Sequence, residues 1–223
     1  MSLPAPLSAR SMLYSMERLN EPLSAPFQAF LADAIADPVQ HVRFLNLLSL
    51  LEHTGSRKIM LSQMCGILTQ DILKHLAEET RHAFFFKREA EKLAGHSIEG
   101  YESEFTMSAT AGQFYFGRLD SGLSAALPDG SHAETAYLWV SLVIELRALW
   151  VYRFYQQALI AAKYPTSLKS IIAEEDNHLE AMTERLAELG FDYESALPGA
   201  IALEKSLYER LFASLRAGLK VAA

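Results

Sequence analysis

The stretch Ala77-Glu78-Glu79-Thr80-Arg81-His82 places a glutamate and a histidine three residues apart. Residues at positions i and i+3 lie on one face of an α-helix, so Glu79 and His82 offer an oxygen and a nitrogen to the same point. The same spacing recurs at Glu175 and His178, within Ala173-Glu174-Glu175-Asp176-Asn177-His178. The two motifs together predict two helices that present these four side chains to a shared site.

A lone glutamate precedes each motif in an apolar stretch. Glu52 lies 27 residues before Glu79, and Glu145 lies 30 residues before Glu175. A buried carboxylate is strongly penalised without a cation or a proton, so each of these positions requires a positive partner. Four carboxylates and two imidazoles in this order are typical of a two-metal site in a four-helix bundle. The predicted metal ligands are Glu52, Glu79, His82, Glu145, Glu175 and His178.

Composition predicts one all-α domain that spans residues 1–223. Half of the 223 residues are apolar, and there are only 11 Gly and 8 Pro. The net charge of -7, without a basic cluster, argues against a nucleic-acid partner. The single cysteine, Cys65, excludes an internal disulfide and a cysteine-based metal site, and we interpret it as a small buried hydrophobe.

No secretory signal and no membrane span are expected. The first twenty residues include Arg10, Glu17 and Arg18 and lack a continuous apolar run. The most hydrophobic segment, residues 137–152, contains Glu145 and Arg147 and is short for a span of about 20 residues. The sequence therefore predicts a soluble, cytoplasmic protein with no membrane partner.

Four long helices are expected to form a core bundle over about residues 38–190. A long crossover at residues 96–130, with a short helix near 108–116, makes the second and third helices parallel. The segments outside the core are a peripheral N-terminal segment, 1–37, and a C-terminal packing helix within 191–223. The expected helices cover about 9–19, 25–35, 38–60, 62–94, 131–163, 166–189 and 198–220.

Specific residues mark where these helices begin and end. Asp37 followed by Pro38 is a typical helix start, with a capping side chain and a proline at the first helical position. The segment Ser131-His132-Ala133-Glu134 has the pattern of a capping box. Gly95 and Gly190 are expected to end the second and fourth long helices.

The motifs resemble those of the ferritin-like di-iron carboxylate superfamily. Glu78-Glu79-Thr80-Arg81-His82 matches the acidic-Glu-x-Arg-His form found in acyl-carrier-protein desaturases and bacterial multicomponent monooxygenases. Chain length and ligand order are similar to those of aldehyde-deformylating oxygenases. The resemblance covers about residues 38–190. It implies a ferritin-like bundle with two iron ions, or manganese instead, in which Glu52 and Glu145 are terminal ligands, Glu79 and Glu175 bridge, and His82 and His178 each hold one metal.

The resemblance also implies partners for the ligating histidines. Glu78 and Glu174 would each hydrogen-bond a histidine ligand, and Arg81 would pair with one of these acids. Asn177 departs from the pattern, since it stands where the counterpart of Arg81 is expected. For Glu78, Glu174 and Arg81 the alternative is a solvated ion pair.

Several further residues lie on the same helix faces. His75, one turn before Glu79, has three interpretations: an additional ligand, a proton relay, or a core histidine with a backbone partner. We favour the core histidine. Tyr137 and Tyr152 flank Glu145 by about two turns each, and we favour packing over a redox role for both. The small residues that would leave room for a substrate or O₂ cavity are Ser49, Gly55, Ser141 and Ala148.

The resemblance implies an O₂-activating di-iron, or Mn/Fe, oxidase or oxygenase that acts on a small apolar organic substrate. Because the sequence has no flavin fingerprint and no cysteine cluster, electrons would come from an external donor such as a ferredoxin or a reductase. The alternatives are an iron-handling or peroxide-reducing protein of ferritin or rubrerythrin type, and a non-catalytic bundle stabilised by metal. A homodimer is left open.

Overall fold

The computed structural model describes residues 8–62, 68–128 and 130–220, and this part of the chain contains seven α-helices and no strand. The prediction of an all-α fold is therefore confirmed. The helices are α1 (Ala9–Ala36), α2 (Pro38–Ser62), α3 (Gln70–Ala94), α4 (Ala109–Ala125), α5 (Ala133–Ala161), α6 (Lys169–Glu188) and α7 (Tyr193–Lys220).

Two helix pairs form the centre of the bundle. The most extensive helix packing is between α2 and α3, followed by that between α5 and α6. The helix α1 packs on α5 and α7, and α4, in the crossover, packs on α7 and α2. The two central pairs contain the two predicted Glu…Glu-x-x-His sets, one on each pair. The assignment to a ferritin-like bundle in particular remains a prediction.

Three predicted helix ends are confirmed. Asp37 Oδ1 accepts a hydrogen bond from the backbone N–H of Val39 at 2.9 Å, and α2 begins at Pro38. Gly95, with φ of 75°, ends α3, and its N–H donates to the Glu91 carbonyl. Gly190 follows α6 with φ of 71°, a conformation that glycine adopts without a Cβ clash.

The starts of α3, α5 and α6 correct the predictions. Helix α3 begins at Gln70, because the Thr69 side chain accepts from the backbone N–H of Ile72 and forms the cap. The N-cap of α5 is His132, whose Nδ1 accepts from the Glu134 N–H at 3.2 Å, so the predicted capping box is wrong. Cys65, which is predicted to be a small buried hydrophobe, lies outside the described residues.

Helix α6 starts at Lys169, later than the expected 166, because the preceding turn makes its own contacts. The Thr166 hydroxyl donates to Glu89 Oε2 at 2.6 Å. The Leu168 N–H donates to Gln156 Oε1 at 2.5 Å. These bonds to α3 and α5 hold residues 166–168 outside the helix, in place of a first helical turn.

The N-terminal segment is one helix where two short helices were expected. Helix α1 contains both Pro22 and Pro26, and both prolines are exposed. Each proline removes one backbone hydrogen bond, but on the exposed face the freed carbonyl can bond to water. The opposite face is buried through Met12, Met16, Phe27, Phe30 and Leu31. This apolar burial outweighs the local cost of the two prolines.

Two further helices are longer than expected. Helix α4 has 17 residues and runs on to Ala125. Helix α7 begins at Tyr193, ahead of Pro198, since the Asp192 carboxylate accepts from the Ser195 N–H at 3.1 Å and caps the helix.

Within the described part of the chain, α5 is the one helix long and apolar enough to cross a membrane by length and composition. In its most apolar window, 72% of the residues are buried inside the protein. Its Glu145 and Arg147 are buried and paired with other helices. Helix α5 is therefore a core helix of this fold, and a soluble, cytoplasmic protein remains a prediction.

Candidate metal centre

The six predicted ligands converge at the centre of the bundle. All are buried, with exposed fractions between 0% for His82 and 7% for Glu52 and His178. Together with His75 they form two groups of four that share Glu79, and within each group the ligand atoms lie within 4.8 Å of one another. The groups are Glu52, Glu79, His82 and Glu175, and His75, Glu79, Glu145 and His178. The structure thus brings all six together and adds His75.

Two carboxylates lie between the two motif histidines. Glu175 Oε1 is 3.0 Å from His82 Nδ1, and Glu175 Oε2 is 2.9 Å from His178 Nδ1. Glu79 Oε1 is 3.7 Å and 3.8 Å from the same two nitrogens. Glu52, by contrast, approaches only His82, with its Oε2 3.8 Å from Nδ1. This arrangement fits Glu79 and Glu175 as groups shared between two ions.

The outer nitrogen of each motif histidine is held by a carboxylate from the other motif. His82 Nε2 donates to Glu174 at 2.7 Å, and His178 Nε2 donates to Glu78 at 2.9 Å. With the proton on Nε2, the Nδ1 lone pair of each ring is directed toward the other carboxylates. Arg81 lies 2.5 Å from Glu174, as expected of its pairing with an acid of this kind. These three contacts fix the orientation of both imidazoles.

Two buried atoms at the centre have no hydrogen-bond partner. They are His82 Nδ1 and Glu79 Oε1. His82 Nδ1 and Glu175 Oε1 are only 3.0 Å apart, so with Nδ1 unprotonated two lone pairs face each other, and the space between them calls for a cation or a second proton. Seven oxygen- or nitrogen-bearing side chains without a thiolate suit iron or manganese. The residues therefore fit a pair of divalent ions.

The acid–base properties of the cluster show the same demand for positive charge. Burial and the neighbouring Glu79 carboxylate raise the pKa of Glu52 well above its usual value. Burial and Glu175 raise the pKa of Glu145 to about 7. Burial alone would lower the pKa of His82, but the adjacent carboxylates of Glu175 and Glu52 raise it to about 12. In the metal-free chain, protons supply the charge that divalent ions would otherwise supply.

The interpretation of His75 as a core histidine with a backbone partner is wrong. Its Nδ1 is 2.8 Å from the Tyr137 hydroxyl, and its Nε2 is 3.3 Å from Glu145 Oε1. Because His75 is four residues before Glu79 on one helix face, its spacing already indicated proximity to the site. Its partners on α5 depend on the packing of α3 against that helix.

Tyr152 is a site residue whose partner the sequence did not reveal. Its hydroxyl donates to Glu52 Oε1, although Tyr152 belongs to the same helix as Glu145. The seven-residue spacing from Glu145 placed Tyr152 on the inward face of α5. The contact with Glu52 depends on how α2 crosses α5, and no local pattern encodes that crossing.

Cavities adjoin both sides of the cluster. A cavity of about 70 Å³ is lined by Gly55, Ser141 and Glu79, and a second of about 60 Å³ is lined by Glu52, Ala148 and Glu79. Three of the small residues expected beside a cavity are thus in place, while the Ser49 hydroxyl instead donates to the Ala83 carbonyl at 2.8 Å. A larger cleft of about 460 Å³ lies between α3, α5 and α6, over Glu78 and His178.

Comparison of the chain with protein-family models, with curated proteins and with solved structures gives no match. The resemblance to the ferritin-like superfamily consequently rests on the sequence motifs. The geometry of the buried cluster is an independent observation about the same residues.

Proposed function

We propose that this chain is an O₂-activating oxidase or oxygenase that uses two iron ions, or a Mn/Fe pair, and acts on a small apolar organic substrate. The observation that supports the proposal is the convergence of four carboxylates and two motif histidines in the core, with His82 Nδ1 unpartnered and facing three of the carboxylates. Buried groups of this kind are hydrogen-bonded in most proteins, so the two unpaired atoms, His82 Nδ1 and Glu79 Oε1, support the binding of a cation here.

The residues divide naturally between two ions. Glu52 and His82 would hold one ion, Glu145 and His178 the other, and Glu79 and Glu175 would be shared. Four carboxylates balance the formal charge of two divalent ions. When bound, the metal pair would supply the one-electron and O₂ chemistry that amino-acid side chains lack.

The remaining residues of the site orient and protect this centre. Glu174 and Glu78 hold the outer nitrogens of His82 and His178, which keeps their inner nitrogens free for the ions. The Tyr152 hydroxyl donates to Glu52 and holds a proton beside the centre. The two small cavities at Glu79 have room for a diatomic molecule, and the 460 Å³ cleft lies in the size range of small-molecule sites.

Electrons for this chemistry would come from another protein. The chain has one cysteine, too few to hold an iron–sulfur cluster. A ferredoxin-type donor or a reductase is therefore part of the proposal.

The proposal is tested by metal analysis followed by a reaction with O₂. The protein is produced in iron-supplemented medium, and we expect two metal ions per chain. After anaerobic reduction, rapid mixing with O₂ should produce a transient optical absorption that decays over seconds or less.

Each other outcome overturns the proposal in a distinct way. A chain without bound metal overturns the metal centre itself. Two irons that are oxidised by O₂ or peroxide without a transient species, and that are then released or stored, would support the iron-handling alternative. Two ions that raise the thermal stability without any reaction with O₂ would support a non-catalytic bundle.

A further inference from the structure

We propose that His75 is a seventh metal ligand and that the two metal positions are chemically unequal. This inference rests on the proposed metal centre. His75 Nε2 lies 3.3 Å from Glu145 Oε1 and 3.6 Å from Glu79 Oε1. The centres of the His75 and His178 rings are 4.3 Å apart. His75 is only 7% exposed, and its Nε2 faces the carboxylates of the cluster and not solvent.

All three imidazoles of the cluster share one arrangement. In each ring, one nitrogen is hydrogen-bonded to an oxygen outside the ligand set, and the other nitrogen is directed toward the carboxylates of the cluster. The outer partners of His82, His178 and His75 are Glu174 at 2.7 Å, Glu78 at 2.9 Å and the Tyr137 hydroxyl at 2.8 Å. Metal-binding histidines almost always donate their second N–H in this way, so Tyr137 serves His75 as the two glutamates serve the others.

The second hairpin has no counterpart of His75. The residue four positions before Glu175 is Ile171, which is buried and offers no ligand atom. The ion position beside Glu52 and His82 has, in place of a second imidazole, the Tyr152 hydroxyl, which donates to Glu52. The ion beside Glu145 would therefore have two imidazoles, whereas the ion beside Glu52 would have one.

Unequal ligand sets imply unequal affinities. Imidazole favours iron, cobalt and later first-row ions, whereas carboxylate-rich sites suit manganese. The position with two imidazoles should therefore fill first with Fe(II) or Co(II). The position with one imidazole and Glu52 should fill second and should accept Mn(II) more readily.

The competing explanation is that His75 only hydrogen-bonds. In that case its Nε2–H would donate to Glu145, and Nδ1 would accept from Tyr137. A glutamine at this position can preserve hydrogen bonds of this kind but is a poor ligand for these ions. His75→Gln therefore separates the two roles.

The test is an anaerobic Co(II) titration followed by visible absorption, with X-ray absorption at the first equivalent to count imidazoles. Wild type should show two binding phases and two imidazoles on the first ion. In His75→Gln and His75→Ala the tighter phase should weaken by at least about 10-fold to 100-fold. The imidazole count on the first ion should fall from two to one. Circular dichroism shows which variants are folded.

Tyr137→Phe is the matched control, because it removes the outer partner of His75 and keeps the imidazole. It should retain both phases and two imidazoles on the first ion, with a weaker affinity. The inference is wrong if folded His75→Gln keeps both phases and the same imidazole count, and the proposed function then still stands. A wild-type chain that binds no Co(II) would instead overturn the metal centre as a whole.

Discussion

Two buried charged clusters lie on different faces of α5, and they differ in how their charge is balanced. Glu145 belongs to the group of seven candidate ligands, called here the metal cluster, and Arg147, two residues later, belongs to a cluster with Glu204 of α7. Residues two apart on a helix do not share a face, so one helix contributes to both. Arg147 and Glu204 are 4% and 0% exposed, as deeply buried as the metal cluster.

The Arg147 cluster is neutral within the chain. Arg147 Nε and Nη2 donate to the two oxygens of Glu204 at 2.7 Å and 2.6 Å, and Nη2 also donates to Asn20 Oδ1 at 2.8 Å. The Tyr115 hydroxyl donates to Glu204 at 2.8 Å. Arg147 Nη1 is without a partner, but the one positive and one negative charge cancel.

The metal cluster has no such internal balance. Its four carboxylates are matched only by imidazoles, which carry charge when protonated, and His82 Nδ1 faces an oxygen without a hydrogen bond. The comparison teaches that burial of charge does not by itself indicate function. The Arg147 cluster is neutralised by the chain itself, whereas the cluster around Glu145 takes its positive charge from protons or from bound ions.

The largest effect is expected for Glu79→Ala, which removes a carboxylate shared by both ligand groups. The variant should no longer bind two metal ions. It should therefore lose the stabilisation that metal binding gives, on the order of 5 kcal/mol when the free metal concentration is 100-fold above the Kd of each site. The measurement is metal content together with urea unfolding in the presence and absence of metal.

Glu89→Ala is the control for Glu79→Ala, since Glu89 is a buried carboxylate of the same helix with partners outside the cluster. It should keep both ions. The isosteric Glu79→Gln should leave the metal-free chain at least as stable as wild type, because it removes an uncompensated negative charge. Retention of two tightly bound ions in Glu79→Ala would refute the sharing of this carboxylate.

A substitution in the Arg147 cluster is expected to destabilise the metal-free chain, in contrast to Glu79→Gln. Arg147→Met leaves Glu204 buried without a cation and should lower the free energy of unfolding of the metal-free chain by about 3–5 kcal/mol. The double variant Arg147→Met/Glu204→Met should recover most of this loss. Urea unfolding of the two variants measures both effects.

Metal content provides the second readout for the Arg147 variants. A folded variant should still bind two ions, because no ligand belongs to this cluster. If the single and double variants were equally unstable, the ion pair would not be the reason for the loss. If either folded variant lost its metal, the two clusters would not be independent.

A smaller effect is expected at a buried polar pair without formal charge. His41 Nε2 is 2.6 Å from the Tyr155 hydroxyl, and His41 is completely buried. Burial lowers the pKa of His41 from 6.5 to about 4. Below pH 6.5 the unfolded chain binds a proton that the folded chain does not, so stability is fully present above pH 6.5 and is lost as the pH falls toward 4.

Between pH 7 and pH 5 this one group should lower the free energy of unfolding by about 2 kcal/mol. The measurement is urea unfolding of wild type and His41→Gln at both pH values. The difference between the two proteins isolates His41, since both titrate the metal cluster in the same way. An equal loss in wild type and variant would show that His41 is not kept neutral by burial.

Much of the fold and site was predictable because its signals are local. Asp37 before Pro38, Gly95 and Gly190 marked three helix ends through cap chemistry that involves neighbouring residues only. The i, i+3 spacing of the two motifs and the apolar stripes around Glu52 and Glu145 predicted the six residues that converge.

The errors have a common physical cause in contacts between distant segments. Two short N-terminal helices were expected, but burial of the face opposite Pro22 and Pro26 against α5 and α7 keeps the segment one continuous helix. The capping box failed at Glu134, whose carboxylate pairs with Arg185 of α6. In each case packing against another helix outweighed a local preference.

The sequence by itself determined the set of candidate ligands and the helix faces on which they lie, since both follow from residue type and helical spacing. Only the tertiary structure decided which residue supports which. His82 pairs with Glu174 across 92 positions, and His178 pairs with Glu78 across 100. Tyr152 reaches Glu52 across another 100. These partners are chosen by how the helices cross, and helix crossing depends on the packing of the whole core.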